Sequence, residues 1–369
     1  MRVMIAAGGT GGHVYPAIAA AEALCARRAD ASLTFVGSVG GFERPLLAET
    51  DLPFEHQDEV RAGPLHGVSP IKMVGSMIQL AIGSLQAVSL IRRRKPDVIL
   101  LTGGWVGLPV ALAGWLLRVP SLIYLPDIEP GLAIRMLRRI VTRVAVTAAE
   151  SQQYFRAGQT IVTGYPTRES LTDATRAEAI RHFGLDPARK TLLVWGGSRG
   201  ARTINNALLA ILPDLLADGV QVIHVTGTLD WDELQKQIAA IQRDQPEAMR
   251  HYHPFPYLHD DVGLALAAAD LTVSRAGASV LGEYPLFALP SILVPYPYAW
   301  RYQKVNADYL AERGAAVVLR DEDMAVQLAP TIRSVLGARL EDMKRRAAAL
   351  NVPDGAWNVA RALIDLARG

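Results

Sequence analysis

The chain has 369 residues, half of them hydrophobic, which is enough for two domains with sizeable cores. Its 38 Lys and Arg nearly balance its 36 Asp and Glu, so it lacks the strongly basic composition of a nucleic-acid-binding protein. The first 168 residues carry 17 Lys and Arg against 12 Asp and Glu, which fits either an anionic partner or an ordinary solvated face. The single cysteine, Cys25, excludes an intrachain disulfide framework and a cysteine metal cluster, and it fits a reducing compartment.

Short apolar runs alternate with helical patterns along the whole chain, which predicts parallel βαβ units in two doubly wound α/β domains. Strands are predicted where the first half reads RVMIAA, SLTFVG, VILLTG, PSLIYL, RVAVTA and TIVTG, and where the second half reads TLLVWGG, VQVIHVTG, LTVSRAG, PSILVPY and AAVVLR. The Gly- and Pro-containing segment 163–171 is the predicted linker. We therefore predict an N-terminal domain at 1–164, a second domain at 165–345 and a C-terminal helix at 346–369 that packs back on the N-terminal domain.

Residues 71–91 form a long, mainly apolar stretch. Lys72, three serines and two glutamines make it a poor membrane span, so a soluble or surface-lying helix is expected. The sequence RRRK follows at 92–95, and a second mixed apolar and basic group lies at 115–118. An apolar face rimmed by arginines can lie on an anionic bilayer, but a core-facing helix with a basic C-terminal end produces the same pattern. The N-terminal apolar run stops at glycine and does not resemble a signal peptide.

The first glycine turn lies in VMIAAGGTGGHVYPAIAAAEAL, which reads as a strand, a turn and a helix. Glycines let a ligand approach the backbone, and the N-terminus of a helix offers free N–H groups, so a binding loop is favoured over a tight turn that binds nothing. The turn has neither the dinucleotide spacing nor the Gly-Lys-Ser/Thr of a Walker loop. His13 closes the turn. A lone histidine is more often structural, but the end of a first strand faces the ligand crevice, where a neutral imidazole could accept a proton from a hydroxyl.

Two further glycine turns follow predicted strands in the second half of the chain. In GGSRGA, backbone N–H groups and the Ser198 hydroxyl suit a diphosphate, while Arg199 and Arg202 could assist or be surface charges. In SRAGASVLGE, Glu283 could accept both hydroxyls of a ribose or simply be an acidic residue in the first turn of a helix. No Asp-x-Asp pair occurs where a metal-bridged diphosphate would require one.

Seven segments resemble, in this order, the MurG-type transferases of glycosyltransferase family 28: GGTGGHVYPAIA, TGGWVGLPVALA, GYPTR, GGSRGARTINNAL, SRAGASVLGE, ALPSILVPYPYA and YQKVNADYLAERGAAVVL. The resemblance runs through nearly the whole chain, and its glycine motifs are specific in combination. It implies the GT-B fold, in which two doubly wound Rossmann-like α/β domains face a central cleft. It also implies inverting transfer of N-acetylglucosamine from UDP-N-acetylglucosamine to an undecaprenyl-diphosphate-linked muramoyl-pentapeptide of peptidoglycan synthesis. The expected location is the cytoplasmic face of the membrane, with an anionic membrane surface as partner, no nucleic acid, no metal and no tightly bound cofactor.

The resemblance also implies roles for individual residues, with His13 as the catalytic base. The donor-binding residues it implies are Thr10, Gly11, Gly12, Arg168, Gly197, Ser198, Leu258, Ala278, Glu283, Gln303 and Asn306. Among these, Arg168 and Ser198 would face the nucleotide and its diphosphate, Glu283 the ribose, Gln303 and Asn306 the sugar, and Leu258 the uracil. The acceptor-side residues it implies are Gly8, Gly9, Gly103, Gly104 and Asp127.

The chain departs from the family on the acceptor side. Where the family usually reads HEQN, this chain has Tyr124, Leu125, Pro126 and Asp127, which leaves donor use standing and opens the identity of the acceptor. A related transferase that acts on another lipid or small molecule is therefore an alternative. A non-catalytic nucleotide-sugar-binding protein would not need both His13 and Glu283. A GT-B epimerase acting on the same nucleotide sugar would be expected to have further acidic and histidine residues, which the sequence does not reveal.

Overall fold

A computed structural model describes residues 1–9, 11–41, 43–48, 50–65, 67–197, 200–297 and 301–368 of the chain. The chain divides into two compact units: unit 1 comprises residues 1–168 with 352–369, and unit 2 comprises residues 169–351. The first boundary falls inside the segment 163–171. The predicted boundary at 345/346 is displaced, because it cuts a helix that belongs entirely to unit 2.

Unit 1 contains one parallel sheet, with seven strands among its described residues. The strands are β1 (Arg2–Ala6), β2 (Ser32–Ser38), β3 (Phe54–Val60), β4 (Val98–Leu101), β5 (Ser121–Leu125), β6 (Arg143–Val146) and β7 (Thr160–Val162). Their spatial order is β3-β2-β1-β4-β5-β6-β7. The chain thus starts in the middle of the sheet, winds to one edge and then returns to the other side of β1. The strand order reverses between β1 and β4, which is the topological switch point where ligands bind in open α/β sheets.

Helices connect the strands of unit 1. They are α1 (Gly11–Arg27), α2 (Glu43–Ala48), α3 (Pro70–Arg94), α4 (Gly107–Leu116) and α5 (Leu132–Leu137), and a 3₁₀ segment follows at Ala149–Tyr154. The central strands β4 and β5 are buried along their full length, as expected of a parallel sheet covered on both faces. Helix α3 begins where Ser69 caps the Lys72 N–H and Pro70 occupies the first turn, and it ends at Lys95 in the left-handed conformation.

Residues 71–91, which the sequence analysis described as a poor membrane span, lie within the long helix α3. By length and composition, α3 is the one helix in the described part of the chain that could cross a membrane. Its buried positions nevertheless pack on unit 1. The backbone at Gly83 approaches the Arg61 carbonyl so closely that a Cβ there would overlap with it, and Gln86 Oε1 accepts the Arg61 N–H at 2.9 Å. The core helix of a soluble protein passes the same test of length and composition.

Unit 2 contains a second parallel sheet, with six strands in the described ranges. The strands are β8 (Lys190–Trp195), β9 (Val220–Val225), β10 (Tyr252–Phe255), β11 (Leu271–Ser274), β12 (Ser291–Leu293) and β13 (Ala316–Val318), in the spatial order β10-β9-β8-β11-β12-β13. The switch point lies between β8 and β11. Two short helices precede the sheet, α6 (Glu169–Thr172) and α7 (Arg176–Phe183), and a capping box between Thr175 and Glu178 starts α7.

The remaining helices of unit 2 surround this sheet. They are α8 (Arg202–Ala217), α9 (Trp231–Asp244), α10 (Val262–Ala268), α11 (Val280–Leu286), α12 (Tyr302–Glu312), α13 (Met324–Ser334) and α14 (Leu340–Ala349). Short 3₁₀ segments lie at Ala248–His251 and Asp321–Asp323, and a wide helical turn spans Val335–Arg339. The core of unit 2 is formed by apolar side chains from the sheet, α8 and α13.

The last helix, α15 (Gly355–Arg368), returns to unit 1 and packs on α1, β4 and β5. The Arg27 guanidinium lies 4.1 Å from the centre of the Trp357 ring, and Asn358 Nδ2 donates to the Thr163 carbonyl at 3.1 Å. The terminal segment is therefore part of the first unit rather than a separate domain. The prediction of two doubly wound α/β domains is confirmed in each unit.

Candidate active site

His13 lies at the switch point of unit 1, in the first turn of α1 after the glycine turn that follows β1. Its Nδ1 is 3.2 Å from the carbonyl oxygen of Thr102, the residue that follows β4. Because a carbonyl oxygen can only accept a hydrogen bond, Nδ1 carries the proton in the neutral ring. Nε2 is then the unprotonated nitrogen, which is the one able to accept a proton from a hydroxyl group.

Two glycines after β4 leave the space that His13 needs. Gly103 has a φ of 135°, and a Cβ at this position would overlap with the imidazole ring. Gly104 has a φ of 78°, and a Cβ there would overlap with the Gly8 carbonyl of the first turn. The motif TGG is therefore explained by the close approach of two turns at the switch point, in a backbone conformation that glycine adopts readily.

The environment of His13 keeps the imidazole neutral. Burial lowers its pKa below the usual value, and this effect outweighs the negative charge of Asp127 and the Thr102 carbonyl, both of which raise the pKa. A histidine with a lowered pKa is unprotonated at neutral pH, as a general base must be. The geometry and the charge state thus agree on the same role for Nε2.

The segment that departs from the family pattern turns most of its side chains into the core. Tyr124 is fully buried, and its hydroxyl donates to Thr147 Oγ1 at 2.7 Å, because Thr147 itself donates to the Pro126 carbonyl at 2.9 Å. Leu125 is also buried. Of the four replaced positions only Asp127 is partly exposed, so it is the one of these four that a ligand could reach in this structure.

The other predicted residues of unit 1 surround the first turn. Gly8 is buried, Gly11 is half-buried, and Gly9 and Gly12 are exposed. The Arg168 guanidinium lies 4.3 Å from the centre of the Tyr15 ring, on the second turn of α1. This contact brings Arg168 to the helix that carries His13, while its assignment to the donor nucleotide stays a prediction. Thr10 lies outside the described residues.

The switch point of unit 2 carries the second and third glycine turns. The Gly200 N–H donates to the Gly197 carbonyl at 2.9 Å and closes the turn before α8. Arg202, at the start of α8, is bound to Asp230 at 2.6 Å and stays largely exposed. The structure therefore gives the Arg202 charge a protein partner. Ser198 and Arg199 lie outside the described residues.

The third turn leads from β11 into α11. Ala278 is half-buried in this turn, and Glu283 follows in the first turn of the helix, with its N–H bound to the Ser279 carbonyl at 2.8 Å. The neighbouring Tyr284 is buried, and its hydroxyl contacts Trp195 Nε1 at 2.9 Å and Ser274 Oγ at 2.6 Å. These bonds join the ends of β8 and β11, so Gly197 and Glu283 stand at the carboxyl ends of two adjacent strands.

Arg275 is a residue of this region to which the sequence analysis assigns no role. Its guanidinium donates to Thr203 Oγ1 at 2.8 Å, to Asp321 Oδ1 at 2.5 Å and to the Val294 carbonyl at 3.1 Å. It thereby ties the first turn of α8 to the segments that follow β12 and β13. The three partners are far apart in sequence, so no local pattern reveals the network.

The remaining donor-side predictions lie deeper in unit 2. Leu258 is buried in the loop after β10. The Gln303 side chain accepts the Tyr296 N–H at 2.8 Å, and the fully buried Asn306 donates to the Ala276 carbonyl at 3.3 Å. These contacts are with the protein, and contact of Gln303 and Asn306 with a sugar stays a prediction. Among the described residues, no cluster of three or more His, Cys, Asp or Glu could hold a metal ion.

Comparison with known proteins identifies the family to which this chain is similar. The models of the glycosyltransferase family 28 N-terminal and C-terminal domains match residues 3–146 and 191–359. The UDP-N-acetylglucosamine--N-acetylmuramyl-(pentapeptide) pyrophosphoryl-undecaprenol N-acetylglucosamine transferase of Roseiflexus sp. strain RS-1 is 41% identical, over 98% of this chain and 94% of the relative.

Two solved structures share the fold. The crystal structure of Acinetobacter baumannii MurG has a TM-score of 0.76 at 24% identity, and each chain covers 99% of the other. The UDP-GlcNAc 2-epimerase of Neisseria meningitidis, solved with UDP-GlcNAc bound, has a TM-score of 0.68 at 11% identity, again with 99% coverage of both chains. At these identities the structures support the fold alone.

Two doubly wound units, each with a glycine turn at its switch point, are the architecture of the GT-B fold. The chain belongs to glycosyltransferase family 28.

Proposed function

We propose that the chain transfers N-acetylglucosamine from UDP-N-acetylglucosamine to the lipid-linked muramoyl-pentapeptide, lipid I, and so forms lipid II for peptidoglycan synthesis. The activity named for its 41% identical relative from Roseiflexus sp. supports this substrate pair. The single observation that carries the chemistry is His13, held through Nδ1 at the switch point of unit 1 with Nε2 unprotonated. A non-catalytic sugar-binding protein has no need for a base prepared in this way.

In the proposed reaction, His13 accepts the proton of the acceptor hydroxyl as that oxygen attacks the anomeric carbon. Attack opposite the leaving UDP converts the α-linked donor into a β-linked product. Negative charge develops on the diphosphate, and in this proposal N–H groups at the start of α8 stabilise it. Glu283 is the proposed acceptor of the ribose hydroxyls. In this proposal no tightly bound metal is needed, because oriented N–H groups supply the stabilising charge.

We further propose that unit 1 rests on an anionic membrane surface. Large apolar side chains are exposed on three helices, with α4 packed against both α3 and α5. This exposed apolar surface consists of Ile71, Met73, Val74, Met77, Ile78, Ile82, Leu85, Leu112, Trp115, Leu116, Leu132 and Met136. The cations Lys72, Arg92, Arg93, Lys95 and Arg118 lie at or next to the ends of α3 and α4 and are exposed. An apolar face with cations at its ends suits the interface of an anionic bilayer, which holds a lipid-linked acceptor.

One observation supports a second candidate, a UDP-sugar transferase with a different acceptor. The family's HEQN positions are replaced here, and all but Asp127 are buried. A carboxylate in this place presents only hydrogen-bond acceptors, whereas an amide also donates. A group of the acceptor substrate that binds Asp127 would then need to donate a hydrogen bond to the carboxylate.

The test is UDP release by purified protein in detergent from UDP-N-acetylglucosamine, with and without lipid I, followed by analysis of the sugar product. We expect release that depends on lipid I and a β-linked disaccharide, and we expect both to be lost in a His13→Gln variant. Binding of UDP-N-acetylglucosamine without release would leave the donor assignment standing and move the acceptor to the second candidate. Formation of UDP-N-acetylmannosamine without any acceptor would assign an epimerase and contradict the proposal.

A further inference from the structure

Glu43 is a buried carboxylate beside the first glycine turn, and nothing in the proposed chemistry uses it. It is the first residue of α2 and only 3% exposed. Burying a carboxylate is costly unless hydrogen bonds satisfy it. Its Oε1 accepts the Gly9 N–H at 3.3 Å, across 34 residues of sequence. The carboxylate therefore reaches from the β2–α2 connection into the turn that precedes His13.

Two glycines leave the volume that this carboxylate fills. A Cβ on Gly8 would overlap with Oε1, and a Cβ on Gly41 would overlap with Oε2. Gly8 belongs to the first turn and Gly41 to the turn before α2, so both turns close around the same side chain. A larger residue at either glycine would displace the carboxylate, which makes the two turns and Glu43 a single packed unit.

The bond from Gly9 fixes the direction of the first turn. Gly8 directs its carbonyl towards Gly104, and Gly103 packs against the His13 ring. Gly9 stands between the Gly8 peptide, which packs against Gly104, and the helix that carries His13. With its N–H engaged by Glu43, Gly9 does not offer that N–H to a ligand, so we expect a ligand to meet N–H groups at the start of α1 instead.

We propose that Glu43 is a positioning residue: through the Gly9 N–H it holds the first glycine turn in the conformation that keeps the His13 ring on the Thr102 carbonyl. The inference deepens the proposed function and relies on it for its kinetic readout. In this proposal Glu43 acts through Gly9 and His13 rather than on the substrates, so its effect should appear in turnover and not in donor binding.

The kinetic test compares three variants with a matched control. Glu43→Gln keeps an oxygen that can accept the Gly9 N–H, whereas Glu43→Asp is one methylene too short and Glu43→Ala has no acceptor. We expect Glu43→Gln to keep kcat within about threefold of the unchanged protein. The other two should lose about tenfold to a hundredfold in kcat, as expected for a displaced catalytic group, with an unchanged KM for UDP-N-acetylglucosamine. Glu55→Gln is the control, because Glu55 is exposed on β3 in the same unit.

A second readout does not depend on transferase activity. With ¹⁵N-labelled histidine, the ring signals of His13 are assigned by their loss in His13→Gln. We expect a protonated Nδ1 in the unchanged protein, in Glu43→Gln and in Glu55→Gln, and a mixture of ring tautomers in Glu43→Asp. If the unchanged protein transfers no sugar, the proposed function fails, and these signals still decide the positioning role.

Several results would overturn the inference. Unaltered ring signals together with unaltered kcat in Glu43→Ala would show that the turn does not need the carboxylate. Equal losses of kcat in Glu43→Gln and Glu43→Ala would show that the charge matters and not the hydrogen bond. If Glu43→Ala does not fold, the comparison of Glu43→Gln with Glu43→Asp, at matched unfolding midpoints, gives the same decision.

Discussion

The tautomer of His13 determines which of its ring nitrogens can act as a base. Because Nδ1 donates to the Thr102 carbonyl, only Nε2 can accept the proton of an attacking hydroxyl. We expect His13→Ala to lower kcat about 10²- to 10⁴-fold, the usual contribution of a general base. The dissociation constant of UDP-N-acetylglucosamine, measured by calorimetry, should change less than twofold, since the proposed ribose and diphosphate contacts at Glu283 and Gly197 are in unit 2.

A matched variant separates the proton transfer at His13 from its packing. In His13→Gln the side-chain amide can still donate to the Thr102 carbonyl, but it cannot accept a proton in the reaction. Its turnover should therefore fall as far as that of His13→Ala, with a smaller change in the unfolding midpoint. Retention of more than a third of the turnover in either variant would remove His13 as the base.

Asp127 influences the charge state of His13. The negative charge of Asp127 raises the pKa of His13 against the larger lowering by burial. In Asp127→Asn the pKa of His13 should fall further, and the neutral base should persist to lower pH. The acidic limb of the kcat/KM profile for UDP-sugar turnover should then move to lower pH. Asp51→Asn, an exposed control in unit 1, should leave the limb in place. A limb that moves to higher pH in Asp127→Asn would contradict the electrostatic role.

Part of the candidate site could be predicted at the scale of single residues. His13 and the glycines of the first turn lie in one continuous motif between a strand and a helix, so the local pattern indicates them. Glu43 and Arg275 could not be found in this way. Each acts through partners at least 19 residues distant in sequence, and only the folded chain brings these groups together.

At the scale of elements, the sequence predicted the central strands and missed one edge strand in each sheet. Strand β3, FEHQDEV, alternates exposed polar residues with partly buried ones and has a single neighbouring strand. Strand β10, YHPF, has four residues and contains a proline, which is tolerated at a sheet edge. Neither forms the continuous apolar run that identifies a strand buried on both faces. These two segments become strands because they pair with β2 and β9, and this pairing cannot be recognised from their own residues.

The exposed apolar surface of α3 allows a prediction about membrane binding. Met77 and Ile78 are more than half exposed in the middle of the helix. We expect the double variant Met77→Glu with Ile78→Glu to bind vesicles containing anionic lipid at least about tenfold more weakly, because it places charge in the bilayer interface. Cosedimentation with the vesicles measures the loss. Turnover of a short-chain, water-soluble acceptor should be unchanged.

The control for this surface is an apolar residue elsewhere that is more exposed than Met77 and Ile78. Val326 is 79% exposed on α13 of unit 2, and Val326→Glu should bind vesicles as the unchanged protein does. Equal weakening in both proteins would indicate a general effect of added negative charge. Undiminished binding of the Met77 and Ile78 variant would place the membrane contact outside the middle of α3.

At the scale of the whole molecule, the repeated order of strand, glycine turn and helix predicted two α/β units with related topology. The path of the terminal segment was harder to predict. Helix α14 stays with unit 2, while α15 packs on unit 1, and the segment between them is short. Amphipathic patterns alone do not state which sheet a helix covers. The hydrogen bond from Asn358 to the Thr163 carbonyl and the stacking of Arg27 on Trp357 hold α15 on unit 1.

Unit 2 also contains a buried polar network that links the stability of its fold to pH. His224 on β9 is fully buried, with Nε2 3.0 Å from Asn205 Oδ1 and Nδ1 2.7 Å from the Tyr252 hydroxyl. Asn205 donates through Nδ2 to the Thr226 carbonyl, so its Oδ1 accepts and His224 Nε2 carries the proton. The network ties α8, which begins at the second glycine turn, to β9 and β10. A proton added at Nδ1 of His224 would require the Tyr252 hydroxyl to turn from donor to acceptor, and burial lowers the pKa of His224 to about 3.

The last prediction follows from the sign of this shift. The unfolded chain binds a proton at His224 near pH 6.5, and the folded chain does so only near pH 3, so the stability of unit 2 should fall as the pH decreases between these values. At pH 5 the loss from this residue is about 2 kcal/mol relative to pH 7.5. This loss of stability is measured by urea unfolding at both pH values, with hydrogen exchange in peptides covering β9 as the probe of unit 2. His224→Gln should be less stable at pH 7.5 but lose less stability on acidification, whereas the exposed control His259→Gln should keep the full pH dependence. An unchanged pH dependence in His224→Gln would mean that other groups control the acid stability of unit 2.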